Sequence, residues 1–251
     1  MTLGFAIALV LTGHVVADFY VQTNTVAKGK GESFRLLMLH GLLYALCMLL
    51  VCLFAFSPGR FLVAWAVLAC SHGLIDWGKV ALEKRRRSRF ALFCIDQALH
   101  VLIVLIVSVW LAGPPPVFGT IAYVASVMGA ESIAGTLAGV LSLLVVWRPA
   151  ALFVQLLLEH VRVEPSSASV SGEEELRAGR WIGVLERTII SVLTLCGQFT
   201  AIAFVLTAKS IARFQKLNKR TFAECYLVGT LASAAAAIVA TLVIGEVVAW
   251  A

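Results

Sequence analysis

The chain has 251 residues, 61% of them hydrophobic and 14% charged, with a mean hydropathy of +0.95. Soluble globular domains carry about 25% charged residues, so the composition excludes an ordinary water-soluble domain. The formal net charge of +6 and pI near 9.2 are those of a membrane protein whose basic loops set orientation and hold anionic headgroups. No nucleic-acid partner is expected.

Several apolar stretches reach the roughly 20 residues that cross a bilayer. Backbone groups in lipid must bond internally, and the alternation of a β-barrel is absent, so the spans are expected to be helices. The fold class is therefore all-α, a polytopic transmembrane helix bundle of about seven or eight spans. The first span is expected at about 2–22. It starts without a basic region, carries His14 and Asp18, and reads as a retained span rather than a signal peptide. A polar loop with Lys28, Lys30 and Glu32 leads to a second span at about 34–56. Pro58-Gly59-Arg60 makes a turn before the third span, about 61–82. The run Lys84-Arg85-Arg86-Arg87-Ser88-Arg89 follows, then a fourth span at about 90–112 that stops at Pro114-Pro115-Pro116. Residues 1–112 thus read as one four-helix module.

Residues 113–161 form an apolar, partly broken segment with Glu131, Arg148 and Pro149. It reads as one long interrupted span over 117–158 or as two shorter ones. Residues 162–181 read as a hydrophilic linker, with Pro165 and Glu173-Glu174-Glu175. Residues 182–251 read as a two-helix membrane region, with spans at about 182–208 and 222–248 around a basic loop of Lys209, Arg213, Lys216, Lys219 and Arg220. The run at 84–89 belongs in the cytoplasm, which puts the N-terminus outside. With one span between them, the linker and the later basic loop cannot both be cytoplasmic, which favours two crossings within 117–158 and eight in all. The six cysteines form no CxxC pair and read as small apolar residues.

The chain has three aspartates, and each lies four residues from a histidine: His14–Asp18, His72–Asp76 and Asp96–His100. A random aspartate in a chain with this histidine content has roughly a one-in-25 chance of that spacing. Residues four apart share a helix face. With His40, all seven are expected within roughly 10–15 Å of one interface, because each sits near the same end of its span. A carboxylate in hydrocarbon costs several kcal/mol unless paired, solvated or metal-bound. The mixed nitrogen and oxygen set suits Zn, Fe or Mn. Seven candidates exceed the ligands of one zinc site, leaving room for one or two divalent ions plus a general base. Asp18, Asp76 and Asp96 are candidate catalytic carboxylates. Lys79, one turn beyond Asp76, is placed to hold an anionic group. A metal-free proton or ion pathway and interhelical hydrogen bonding stay open beside the metal reading. Lys209 and Arg213 share a helix face that either grips a lipid headgroup or simply reaches the interface.

The segments GHVVADFYVQT (13–23), SHGLIDWGK (71–79) and IDQALH (95–100), with His40 between them, resemble a bacterial inner-membrane family described as domain of unknown function 3307. The resemblance implies an N-terminal module over about 3–110. Longer members have a C-terminal region similar to 182–214 and 224–234, although Cys225 stands where an aromatic is expected after Glu224. The family name implies a bacterial inner membrane and no activity. The histidine–aspartate pattern also resembles that of membrane-bound metal-dependent hydrolases in motif style. The leading expectation is a metal-dependent hydrolase acting on a lipid or lipid-linked substrate from the cytoplasmic leaflet. A metal-ion or proton-coupled transporter is the main alternative, and a structural scaffold the third.

Overall fold

A computed structural model describes residues 2–55, 58–85, 88–111, 127–161, 173–218 and 220–250. Every regular element among them is helical. Helix α1 (Leu3–Val15) runs directly into a π turn, Val16–Tyr20. A short α2 (Asn24–Gly29) precedes α3 (Phe34–Ala55), α4 (Pro58–Glu83) and α5 (Arg89–Leu111). Then come α6 (Ala130–Trp147), α7 (Pro149–Val161), α8 (Glu173–Leu195), α9 (Phe199–Ala212), a 3₁₀ turn (Phe214–Asn218) and α10 (Arg220–Trp250).

The starts of these helices follow from local chemistry. Thr2 accepts from the Phe5 N–H at α1, Thr23 from Val26 at α2 and Ser88 from Ala91 at α5, each satisfying a donor the first turn leaves free. Pro58 opens α4, where its missing N–H costs nothing.

Six helical stretches among the described residues are long and apolar enough to cross a membrane: Leu3–Tyr20, Phe34–Leu53, Gly59–Glu83, Arg89–Trp110, Glu131–Val161 and Phe222–Ala249. The protein is an all-α, multi-pass membrane bundle. The first four stretches fall on the expected spans. Where one or two crossings were expected over 117–158, the described part is one apolar stretch, Glu131–Val161, interrupted only at Arg148–Pro149. Residues 117–126 lie outside the described residues.

The stretch 182–208, expected as a single span, is two helices. The Gly197 N–H bonds Thr194 O at 3.0 Å and the Gln198 N–H bonds Leu193 O at 2.8 Å. These bonds close a Schellman motif around Gly197, whose φ of +68° suits glycine. Glu186 and Lys209, nearly equidistant from Gly197 along the chain, form an ion pair, so α8 and α9 run as an antiparallel hairpin.

The chain divides into two compact units, Met1–Leu141 with Gly245–Ala251, and Ser142–Ile244. In the first, α1 packs on α3, α3 on α4, α4 on α5 and α5 on α1, closing a ring. Its outward faces are apolar and exposed, among them Leu42, Leu46, Leu50, Leu74, Trp77, Leu102 and Ile106. A water-soluble protein does not display such continuous apolar surface; lipid accepts it. One half of the ring's interior is an apolar plug of Val10, Met48, Cys52, Ala64, Leu68, Val104 and Val107.

In the second unit, Val146, Ile190, Ile202, Ala234 and Ala237 form a buried apolar core. Buried Arg187 of α8 donates from Nε to Val146 O at 2.6 Å and from Nη2 to Trp147 O at 3.4 Å. Pro149 has no N–H for Val145 O, and its ring disrupts the turn before it. The guanidinium thus supplies donors where proline breaks the ladder. Arg187→Met should destabilise the protein by about 1–3 kcal/mol, the cost of an unpaired buried acceptor. Adding Pro149→Ala should recover part of that loss, and thermal unfolding in detergent of both single variants and the double variant measures it.

Candidate metal centre

Each helix of the ring carries one stripe that passes from apolar to polar in steps of about one turn. On α3 it reads Met48, Tyr44, His40; on α4, Leu68, His72, Asp76; on α5, Val104, His100, Asp96; on α1 and the π turn that continues it, Val10, His14, Asp18. Four-residue steps keep a side chain on one helix face, so the ring brings all four polar ends into one chamber. All seven expected residues are there and buried, none more than 4% exposed.

The π turn positions the Asp18 carboxylate. Its wide bond from the Val21 N–H to Val16 O, 3.0 Å, admits an extra residue into the turn. Ala17, Asp18 and Phe19 are all buried there, continuing the burial of Gly13, His14 and Val15 just before the turn. Such turns recur at functional sites. Gly13, one residue before His14, lets α1 approach α3, since a Cβ there would lie 2.6 Å from Val51 Cγ2.

The chamber centres on His40. Its Nε2 lies 3.2 Å from Asp18 Oδ1, 3.1 Å from Asp76 Oδ2 and 3.2 Å from His72 Nε2. Asp76 Oδ2 is in turn 3.8 Å from His72 Nε2. One ring nitrogen cannot donate to all of these neighbours. Among the described residues, three groups have ligand atoms mutually within 4.8 Å: His14, Asp18 and His100; Asp18, His40 and His72; His72, Asp76 and His100. Asp18, His72 and His100 are each shared by two groups.

Fit to a metal can be judged from these separations. Bonds of about 2.0–2.2 Å put neighbouring ligand atoms of a tetrahedral ion about 3.3–3.6 Å apart; the three distances from His40 Nε2, 3.1–3.2 Å, fall just short of that spacing and the His72–Asp76 distance, 3.8 Å, just beyond it. Orphaned polar atoms in two of the ligand groups point the same way: among the described residues, His14 Nε2 and both ring nitrogens of His100 are buried without a hydrogen-bond partner. Each such atom costs about 1–3 kcal/mol. The donor set therefore fits a divalent ion.

Asp96 belongs to none of the three groups. Its Oδ2 accepts from Lys79 Nζ at 3.0 Å and from Gln97 Nε2 at 3.0 Å. Gln97 also reaches Asp18 Oδ2 at 3.4 Å, tying α5 to α1. Lys79 thus pairs across to α5 rather than back to Asp76 on its own helix. Lys209 and Arg213 lie in the other unit, where Lys209 pairs with Glu186 and sits 5.5 Å from the Tyr226 ring centroid.

Two members of the chamber are not evident from sequence. Tyr44 stacks on His72 with ring centroids 3.6 Å apart and lies 3.0 Å from His14 Nδ1 through its hydroxyl. Its position four residues after His40 was the available signal. Lys30 reaches in from the loop after α2, with Nζ 3.2 Å from Asp76 Oδ2, 3.1 Å from His40 Nε2 and 3.9 Å from Asp18 Oδ1. Nothing in its type separates it from Lys28.

This part of the chain is similar to a known family. Residues 6–122 match the model of a family described as "Protein of unknown function (DUF3307)", and the match contains all seven histidines and aspartates of the chamber. The stretches 182–214 and 224–234 lie outside it. No curated protein and no solved structure matches the chain.

Gly13→Ala should cost about 1–3 kcal/mol through overpacking between α1 and α3. Val51→Ala in the same chain should relieve it, so the double variant is expected to lose less than the two singles summed, read from unfolding midpoints in detergent.

Proposed function

We propose that the chamber binds one or two divalent metal ions and that the protein is a metal-dependent hydrolase acting on a lipid or lipid-linked substrate. The observation that carries the reading is the convergence of His40 Nε2, His72 Nε2, Asp18 Oδ1 and Asp76 Oδ2 at near-ligand spacing. His14 and His100 supply further nitrogens, and the sharing of Asp18, His72 and His100 between groups leaves room for a second ion. A bound ion acidifies its water into a nucleophile near neutral pH. Asp96, outside the three ligand groups, is left to act as general base. Lys79, only partly buried at the rim of the chamber, is placed to hold an anionic headgroup.

The apolar plug of Val10, Met48, Leu68 and Val104 beneath the histidines supports a one-sided site over a through-going transport path. A proton or ion route needs polar groups or water along its length, and the buried Ser108 and partly buried Thr12 spend their hydroxyls on their own helix carbonyls.

The hairpin also removes a conflict over sidedness. A hairpin re-entering at α8–α9 lets the segment before α8 and the basic loop after α9 share one face. With the N-terminus outside and six crossings, the run at 84–89 and the loop at 209–220 are both cytoplasmic, as the positive-inside rule requires, and the chamber opens to the cytoplasmic leaflet of the inner membrane. Cysteines placed at Arg180 and at Arg213 should both react with an impermeant thiol reagent from the cytoplasmic side alone; labelling from opposite sides would make 182–208 a crossing.

Metal analysis of purified protein tests the chemistry. Wild type is expected to hold at least one tightly bound divalent ion per chain. His72→Ala and Asp18→Asn should each weaken binding 10-fold or more, because the amide keeps the hydrogen bond but loses the charge. Equal, substoichiometric metal in all three proteins would remove the proposal and favour a scaffold.

A further inference from the structure

The loop between the first two spans places a cation inside the candidate metal centre. Lys30 follows the short α2, which is pinned at its start by the Thr23 cap and by the buried side chain of Val26. From there its ammonium lies 3.2 Å from Asp76 Oδ2, 3.1 Å from His40 Nε2 and 3.9 Å from Asp18 Oδ1. Those three atoms belong to the ligand set of the metal reading. A lysine this deep is unusual for a loop residue, and its side chain stays 18% exposed, so a path to water remains.

We infer that Lys30 is a tethered competitor for the metal: its ammonium and a divalent ion occupy the same carboxylate cradle by turns. The inference rests on the metal reading and adds to it a residue that sets affinity and selectivity. Two like-charged carboxylates near one imidazole repel each other strongly at low dielectric, so the cradle needs a cation whether or not metal is bound. Lys30 meets that need in the metal-free protein. The charge balance favours exchange. Asp18, Asp76 and Asp96 face two ammoniums, Lys30 and Lys79, which leaves one negative charge. A divalent ion in place of the Lys30 ammonium leaves none. The two cannot coexist, because an ammonium 3.1 Å from His40 Nε2 occupies the space in which that nitrogen would meet a metal, and like charges at such separations repel.

Exchange makes the site discriminate by charge. A monovalent ion gains little over an ammonium already held by the chain, whereas a divalent ion gains a full unit of charge in a buried site. It also links loading to the loop. When metal enters, the Lys30 side chain is released to the rim, where it joins Lys79 as a second cation facing the headgroup region.

Two measurements on the full-length protein in detergent test this, with Mn or Zn as the probe. In the first, Lys30→Met should bind the metal at least 10-fold more tightly than wild type, with Lys30→Arg close to wild type. In the second, acylation of the Lys30 amine in wild type by an impermeant ester, followed by mass spectrometry, should be slow in chelator and several-fold faster with metal. Unchanged or weaker affinity in Lys30→Met, with no effect of metal on Lys30 acylation, would overturn the competitor role while leaving the metal reading intact. Failure of wild type to bind metal at all would instead remove the metal reading and this inference with it. If Lys30→Met does not fold, the acylation measurement alone decides.

Discussion

A buried carboxylate in a membrane helix has no water to solvate it, and this constraint organises the N-terminal half of the protein. Asp18, Asp76 and Asp96 sit on three different helices, and none can face lipid. They are tolerable only because the ring of α1, α3, α4 and α5 turns them inward, towards one another's histidines and towards two lysines. Packing, helix register and the placement of the short loop helix all follow from the need to collect these groups in one place. The apolar outer faces then need only match the lipid, and the plug below the histidines needs only to fill space.

The chamber and its surroundings divide the labour between chemistry and support. Tyr44 stacks on His72 and meets His14, helping to orient both rings. Gln97 bridges Asp18 and Asp96 between two helices. In the second unit a different economy operates. Arg187 is spent on carbonyls beside a proline break, and Ser191 meets Thr241 at 2.7 Å across helices. Buried polarity there repairs backbone and joins helices, whereas in the first unit it is concentrated in one chamber.

Much of the first unit was legible in the sequence because its signals are local. Four-residue spacing puts His14 with Asp18, His72 with Asp76 and Asp96 with His100 on shared faces whatever the tertiary structure does. Scarcity made those pairs stand out in an apolar background. What escaped was set by tertiary contact. Lys30 looks like any loop lysine until α2 folds it back, and Tyr44 looks like a core aromatic until His72 stacks on it. The π turn leaves no mark in composition. Gly197 sits in an apolar run where a glycine reads as helix interior, and only its positive φ makes it a terminator. The partner of Lys79 was likewise set by tertiary contact, since α5 brings Asp96 to it across the ring.

The burial of α1 bears on how the protein is made. Asp18 leaves the ribosome before its neighbours, and the last of them, on α5, arrive only once residue 100 has been added. At roughly 5–20 residues per second, the interval is about 4–16 s. Throughout that time the first helix carries an acid and an imidazole without a closed ring around them. It must wait at the edge of the bilayer, or beside the insertion machinery, until its neighbours close around it. The segment most enclosed in the finished protein is thus the one most dependent on delay during its synthesis.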